Sequence, residues 1–234
     1  MAIIPTNKSE NFLKVAAICS FLGALTTALL FLLPTAQAPD FESQVLLYES
    51  NLYLSRLWIL FFHPQFNLIA SLGVAFLLIR KYPMQIILGT LFLSIWAYTE
   101  MSQQSLLIDA LNQIWRPGYA NTDEEVSKRM FTTLIKVANG ISDSNYFLLI
   151  YGFGTGSFLF GLALVCENIL GKLLGISLLF IGILSLASFA RYYLGVSLLN
   201  NSVNWLYEWI YTYLQPLVRI GIGIWILNEI KKRK

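Results

Sequence analysis

Two ionisable side chains stand inside otherwise apolar stretches of this sequence, Glu100 and Arg219. A charge at the centre of a bilayer costs at least a few kcal/mol unless it is paired or hydrated, so each marks a place where a ligand or a reaction is worth seeking. Glu100 lies about 16 residues, or roughly 24 Å, along its apolar stretch, and Arg219 about ten residues, or roughly 15 Å, along its own. The long Arg side chain can rise toward the carboxylate. Two readings follow. In the bland one they form a buried ion pair, or are hydrated separately, and hold helices in register. In the functional one they are the floor of a polar pocket.

His63 is the only histidine, and Pro64 follows it. Proline removes a backbone donor and frees a carbonyl, so His63, Gln65 and Asn67 can serve simply to satisfy a kinked helix. As a general base His63 would need a substrate beside it. A metal would need further ligands, and only Glu100, Asp109 and Glu208 fall at its depth, so neither a metal nor another cofactor is expected. The sequence holds no Gly-x-Ser-x-Gly elbow, no His-Glu-x-x-His pair and no Asp-rich diphosphate motif. One histidine excludes chemistries built on histidine clusters.

The elements that position these groups follow from composition. In 234 residues, 56% are hydrophobic and 12% charged, with a mean hydropathy of +0.63. Soluble domains carry about a quarter charged residues, so the excess apolar surface must face lipid. At about 20 residues per crossing, the expected fold is an all-α transmembrane bundle of six spans. The ranges are about 12–33, 57–79, 84–107, 146–165, 173–190 and 209–227. The stretch 15–33 followed by Ala36-Gln37-Ala38 imitates a secretory signal with its cleavage site. It is longer than a signal core and reads as a retained first helix.

Orientation follows from basic residues. Lys8, Lys14, Arg80, Lys81, Lys172 and the tail Lys231, Lys232, Arg233 and Lys234 gather on one side; Arg56, Arg116, Lys128, Arg129, Lys136 and Arg191 lie on the other, where the loops are longer. The expectation is a cell-membrane protein with both termini cytoplasmic. The basic tail suits anionic lipid heads rather than nucleic acid. Cys19 and Cys166 fall in different helices and imply no disulfide framework.

Two exterior segments carry helical signals. Asp40 can cap a short helix with Phe41, Val45, Tyr48 and Leu52 at helical spacing. A second, amphipathic helix is predicted over about 123–139, with Thr122 and Glu125 as a capping box, Val126, Met130, Leu134 and Ile141 on one face and Gly140 as its end. Such a helix would lie on the membrane or roof the bundle. The glycines Gly152, Gly154, Gly156 and Gly161 lack a preceding strand, and Ser157 stands where a nucleotide fingerprint needs its third glycine. Gly152 with Gly156, and Gly171 with Gly175, instead have the spacing that lets membrane helices approach closely.

Near the exterior end of the fifth span, Arg191, Tyr192 and Tyr193 meet Trp205, Tyr207, Trp209, Tyr211 and Tyr213, an aromatic set that reads as an interfacial belt. His63, Glu100, Asp109, Trp115, Arg116 and Arg191 fall at one depth and could line one cavity. The leading expectation is an outward-facing pocket for a lipid or small amphiphile, built from His63, Glu100, Asp109, Arg116, Arg191 and Arg219. Its rival is a non-catalytic subunit whose glycine-faced spans dock a membrane protein partner. A membrane enzyme using Glu100 or His63 as base is the third reading.

The order of features resembles a family of six-helix bacterial integral membrane proteins known only as a numbered domain of unknown function. The resemblance rests on Leu33-Pro34 closing the first span, Ala38-Pro39-Asp40-Phe41 running into Tyr48-Glu49-Ser50-Asn51, Glu100 in the third span, the glycine-rich fourth span and the hairpin Leu170-Gly171-Lys172-Leu173-Leu174-Gly175. It implies a similar fold in a bacterial inner membrane. It implies no activity and assigns no residue a role. The long acid-containing segment between the third and fourth spans departs from that pattern.

Overall fold

The computed structural model describes residues 7–233, and among them there is no β-strand. Six long helices carry the fold: α1 (Asn7–Leu32), α3 (Asn51–Leu78), α4 (Pro83–Leu106), α6 (Glu125–Leu164), α7 (Ile169–Tyr193) and α9 (Thr212–Lys231). Between them lie the short helices α2 (Phe41–Val45), α5 (Arg116–Ala120) and α8 (Asn200–Leu206). Five stretches are long and apolar enough to cross a membrane: Lys8–Leu32, Asn51–Leu78, Glu125–Leu164, Ile169–Tyr193 and Ser197–Lys231. The sixth expected span, α4, lacks apolarity rather than length. Its 24 residues rise about 36 Å, but Thr99, Glu100, Gln103 and Gln104 occupy its buried face.

The six long helices run up and down, each packed mainly on two neighbours, and close a ring in the order α1, α3, α4, α6, α7, α9 and back to α1. The seam between α7 and α9 is the least packed of the six. The polarity is inverted relative to a soluble protein. Ile18, Leu25, Met84, Ile87, Leu173 and Ile183 are exposed, while His63, Asn67, Glu100, Gln103 and Gln215 are buried. That is the distribution expected when the surrounding solvent is hydrocarbon.

Glycine sets the tightest seams. On α6, a Cβ at Gly152 would stand 2.9 Å from Phe92 O, and one at Gly156 3.0 Å from Leu93 N, so this pair seats α4. Gly154 and Gly161 face α7: a Cβ at Gly161 would stand 2.8 Å from Leu179 N, and one at Gly182 2.7 Å from Phe158 N. The helix α6 therefore has two glycine faces, both used inside the bundle. Gly195 does something different. It turns the chain after α7 at φ +70, the left-handed conformation that glycine adopts without a Cβ penalty.

Packing is solid at the end where α1 begins and α9 finishes. There Leu13, Ala16, Val74, Leu78, Ile86, Phe160, Leu164, Trp225 and Ile226 form one core. Lys81 bridges to Glu167 at 2.7 Å, Asn168 caps α7 through Gly171 N at 3.0 Å, and its amide also reaches Glu229 at 3.0 Å. Those contacts tie both turns at this end to the last helix.

The opposite end carries a cap with its own small core of Val45, Leu111, Ile135 and Ala138, against which Phe41, Trp115 and Tyr119 pack. Asp40 caps α2 as expected, accepting from Ser43 N at 2.8 Å, and this bond holds its carboxyl below the ordinary value. Arg56 donates to Leu30 O at 3.0 Å and Leu33 O at 2.6 Å, satisfying carbonyls left open at the end of α1. Four expectations change here. The amphipathic helix at 123–139 is not separate from the fourth span, since α6 runs unbroken for 40 residues, about 60 Å. Gly140 is helical and has nothing within 4 Å of a would-be Cβ, so it ends nothing. The capping box is absent: Glu124 is the N-cap and makes no side-chain cap bond. The face differs too, because Val126, Met130 and Ile141 are exposed while Ile135 and Ala138 fill the cap.

Candidate functional site

Helix α3 passes through Pro64 without breaking and buries His63 against α1. The Thr26 hydroxyl lies 3.0 Å from both Leu22 O and Gly23 O, to which it donates, and 3.0 Å from His63 Nδ1. With the hydroxyl proton used on a carbonyl, Nδ1–H donates to Thr26. Asn67 Nδ2 donates to His63 O at 2.7 Å and stands 3.3 Å from Nδ1 and 3.2 Å from Nε2. The ring also meets Trp96 edge-on at 6.0 Å. Gln65 donates to Phe61 O at 3.1 Å, whereas the carbonyl that a proline at 64 leaves open is that of Leu60, four residues back.

Above the solid core the ring of helices is hollow. A cavity of about 520 Å³ opens there, and each of the six long helices contributes to its wall. Thr27 and Phe31 come from α1, His63 from α3, Trp96 and Glu100 from α4, Tyr146 and Phe153 from α6, and Ser185, Ser188 and Arg191 from α7. Gln215 and Arg219 come from α9, with Tyr207 and Tyr211 on the turn before it. That turn, Tyr207–Tyr211, is one wide π-helical turn preceding Pro216, an irregularity that recurs at functional sites. A smaller apolar chamber of about 50 Å³ continues beneath it, sharing Trp96, Phe153, Gln215 and Arg219.

The charged groups on this wall are unpaired. Among the described residues the ion pairs are Lys14–Glu10, Lys81–Glu167, Arg129–Glu125 and Lys232–Glu229, none of them at the cavity. Glu100 is 6% exposed and Arg219 donates through Nη2 to Gln215 Oε1 at 3.3 Å, while its Nε is buried without a partner. Ser185, 2% exposed, sets its hydroxyl beside the phenols of Tyr207 and Tyr211. Gln215 in turn donates to Tyr211 OH at 2.5 Å. Arg191, at the mouth, bonds Asn204 Oδ1, lies 3.3 Å from Tyr192 OH and stacks over the Tyr192 ring at 4.6 Å.

Of the six residues expected to line one pocket, His63, Glu100, Arg191 and Arg219 do so. Asp109 and Arg116 do not. Both sit in the cap, on or beside the wide turn Leu107–Trp115, where Asp109 is exposed. Arg116 is 3% exposed, donates to Asn112 Oδ1 at 2.6 Å and stacks over Tyr53 at 5.2 Å. Depth along the membrane does not fix the direction a side chain points: Arg116 turns into the cap and Asp109 to its surface. The aromatic belt also divides: Trp205, Trp209 and Tyr213 are exposed, while Tyr207 and Tyr211 line the cavity.

Residues not anticipated in the cavity are Trp96, Tyr146, Ser185, Ser188, Tyr207, Tyr211 and Gln215. The signal for several was spacing. Tyr207, Tyr211, Gln215 and Arg219 recur every four residues, and Ser185, Ser188 and Arg191 every three, so each set marks one helix face. No family model matches the chain, and no curated protein or solved structure matches it either.

Proposed function

We propose that this chain is a six-span protein of the cell membrane, both termini cytoplasmic, whose central cavity opens to the outer side and holds a lipid or small amphiphile. The observation that carries this reading is the pair of opposite charges, Glu100 and Arg219, on one cavity wall without an ion pair between them. The volume, about 520 Å³, falls in the range of small-molecule sites, roughly 300–1,000 Å³. A polar wall between apolar helices suits a molecule with a polar head and an apolar body. Helix α4 supplies the sixth crossing, packed between α3 and α6, and the bias of basic residues sets the orientation.

The rival reading of a docking subunit rested on glycine-faced spans. Gly152, Gly154, Gly156, Gly161 and Gly182 pack against neighbouring helices of the same chain, which favours the cavity reading over it. The experiment compares lipids that co-purify with wild type, Glu100→Ala and Arg219→Ala, together with their thermal stability. Loss of bound lipid from folded variants supports the pocket; unchanged lipid with lost stability speaks for a structural role. Orientation is checked with the exposed Cys166 in the turn after α6. A membrane-impermeant maleimide should label it only after the membrane is opened.

A further inference from the structure

The geometry points to a zwitterionic ligand, one molecule whose anionic group meets Arg219 and whose ammonium meets Glu100. This rests on the cavity reading above and names the chemistry of its occupant. Arg219 offers the anion site: its Nε is buried without a partner and its one bond, to Gln215, is 3.3 Å long. Ser185 adds a hydroxyl on the same wall, beside Tyr207 and Tyr211. Glu100 offers the cation site: Trp96, one helical turn away, hydrogen-bonds its carboxyl, and Tyr146 stands on the facing helix, a ring of the kind that attracts an ammonium.

Charge accounting decides among ligand classes. A purely anionic molecule would satisfy Arg219 and place like charge beside Glu100, and a purely cationic one would do the reverse. A neutral molecule would leave both groups without a counter-charge in a low-dielectric wall. A ligand with both signs satisfies both groups when both are charged, and the mismatch for single-charge competitors supplies specificity. A lipid headgroup such as phosphoethanolamine and a free water-soluble zwitterion share this chemistry.

The test uses the full chain in a neutral maltoside detergent and native mass spectrometry. The probes are lauroyl lysophosphatidylethanolamine, lauroyl lysophosphatidylglycerol and dodecylamine, alike in chain length, with glycerophosphoethanolamine as the chain-free probe. The zwitterionic lipid should bind at least about tenfold tighter than either single-charge probe, the ratio that a mismatch of about 1.4 kcal/mol produces. Glu100→Gln should abolish its preference over the anionic lipid. Binding of the chain-free probe as tight as that of its lipid would assign a soluble zwitterion, and weak binding of it a lipid headgroup. Equal binding of the anionic and zwitterionic lipids to wild type would overturn the charge assignment while leaving the pocket standing. Failure of every probe to bind would overturn both. The wild-type comparison needs no variant to fold.

Discussion

Glu100 and Arg219 stand on the wall of one cavity, contributed by α4 and α9, and do not form an ion pair. That separation has a measurable consequence. Removing one partner of a buried ion pair costs about 3–5 kcal/mol. Glu100→Gln keeps the side-chain shape and breaks no pair, so its unfolding free energy should stay within about 1 kcal/mol of wild type, in the range of a near-neutral substitution. Thermal or denaturant unfolding in detergent checks this, and a loss of several kcal/mol would show a pair that the separation denies.

His63 is held by an arrangement that depends on a missing side chain. A Cβ at Gly23 would stand 2.3 Å from Asn67 Oδ1, and Asn67 in turn bonds His63. Gly23→Ala should therefore destabilise by about 1–3 kcal/mol, the range of overpacking. Adding Asn67→Ala should recover part of that loss, a coupling that a double-mutant cycle measures. Strict additivity would place the clash elsewhere.

Gly140 and Gly175 should respond in opposite directions to alanine. Gly140 lies within the unbroken helix α6 with open space around it, so Gly140→Ala should stabilise by up to about 1 kcal/mol through helix propensity. A Cβ at Gly175 would stand 2.3 Å from Val165 N, backbone that cannot swing aside, so Gly175→Ala should lower the melting temperature. If Gly140→Ala proved the damaging one, two separate helices would be the better description of 125–164.

The α2 cap should be acid-sensitive. The Ser43 N–H bond lowers the Asp40 carboxyl in the folded chain. The capping contribution is therefore present above the unfolded carboxylate value and is lost as pH falls through the lower folded one. An NMR titration should show the Ser43 amide leaving its capped position only in strongly acid solution. Asp40→Asn keeps the cap and should remove that pH dependence.

Much of the fold was legible because hydrocarbon imposes a simple rule: long apolar runs become helices, and Glu100 and Arg219 stand out against them. Cap chemistry at Asp40 and close packing at Gly152 and Gly156 were legible for equally local reasons. The join of the exterior helix to the fourth span was not, because glycine at 140 reads as a stop unless the neighbouring turns are known to continue. Nor was the destination of Arg116, which depends on tertiary packing over Tyr53. The apolar stripe of Val126, Met130 and Ile141 misled because a second face, Ile135 and Ala138, meets the cap core. A third of the cavity wall came from tyrosines and serines, residues common at interfaces. Only their three- and four-residue spacing distinguishes them.

The most direct measurement is a density map of the protein reconstituted in native lipid. The account predicts continuous density filling the cavity of about 520 Å³, within hydrogen-bonding distance of both Glu100 and Arg219 and lost in Arg219→Ala. A water-filled or collapsed cavity, with the Glu100 carboxylate closed onto the Arg219 guanidinium, would contradict it.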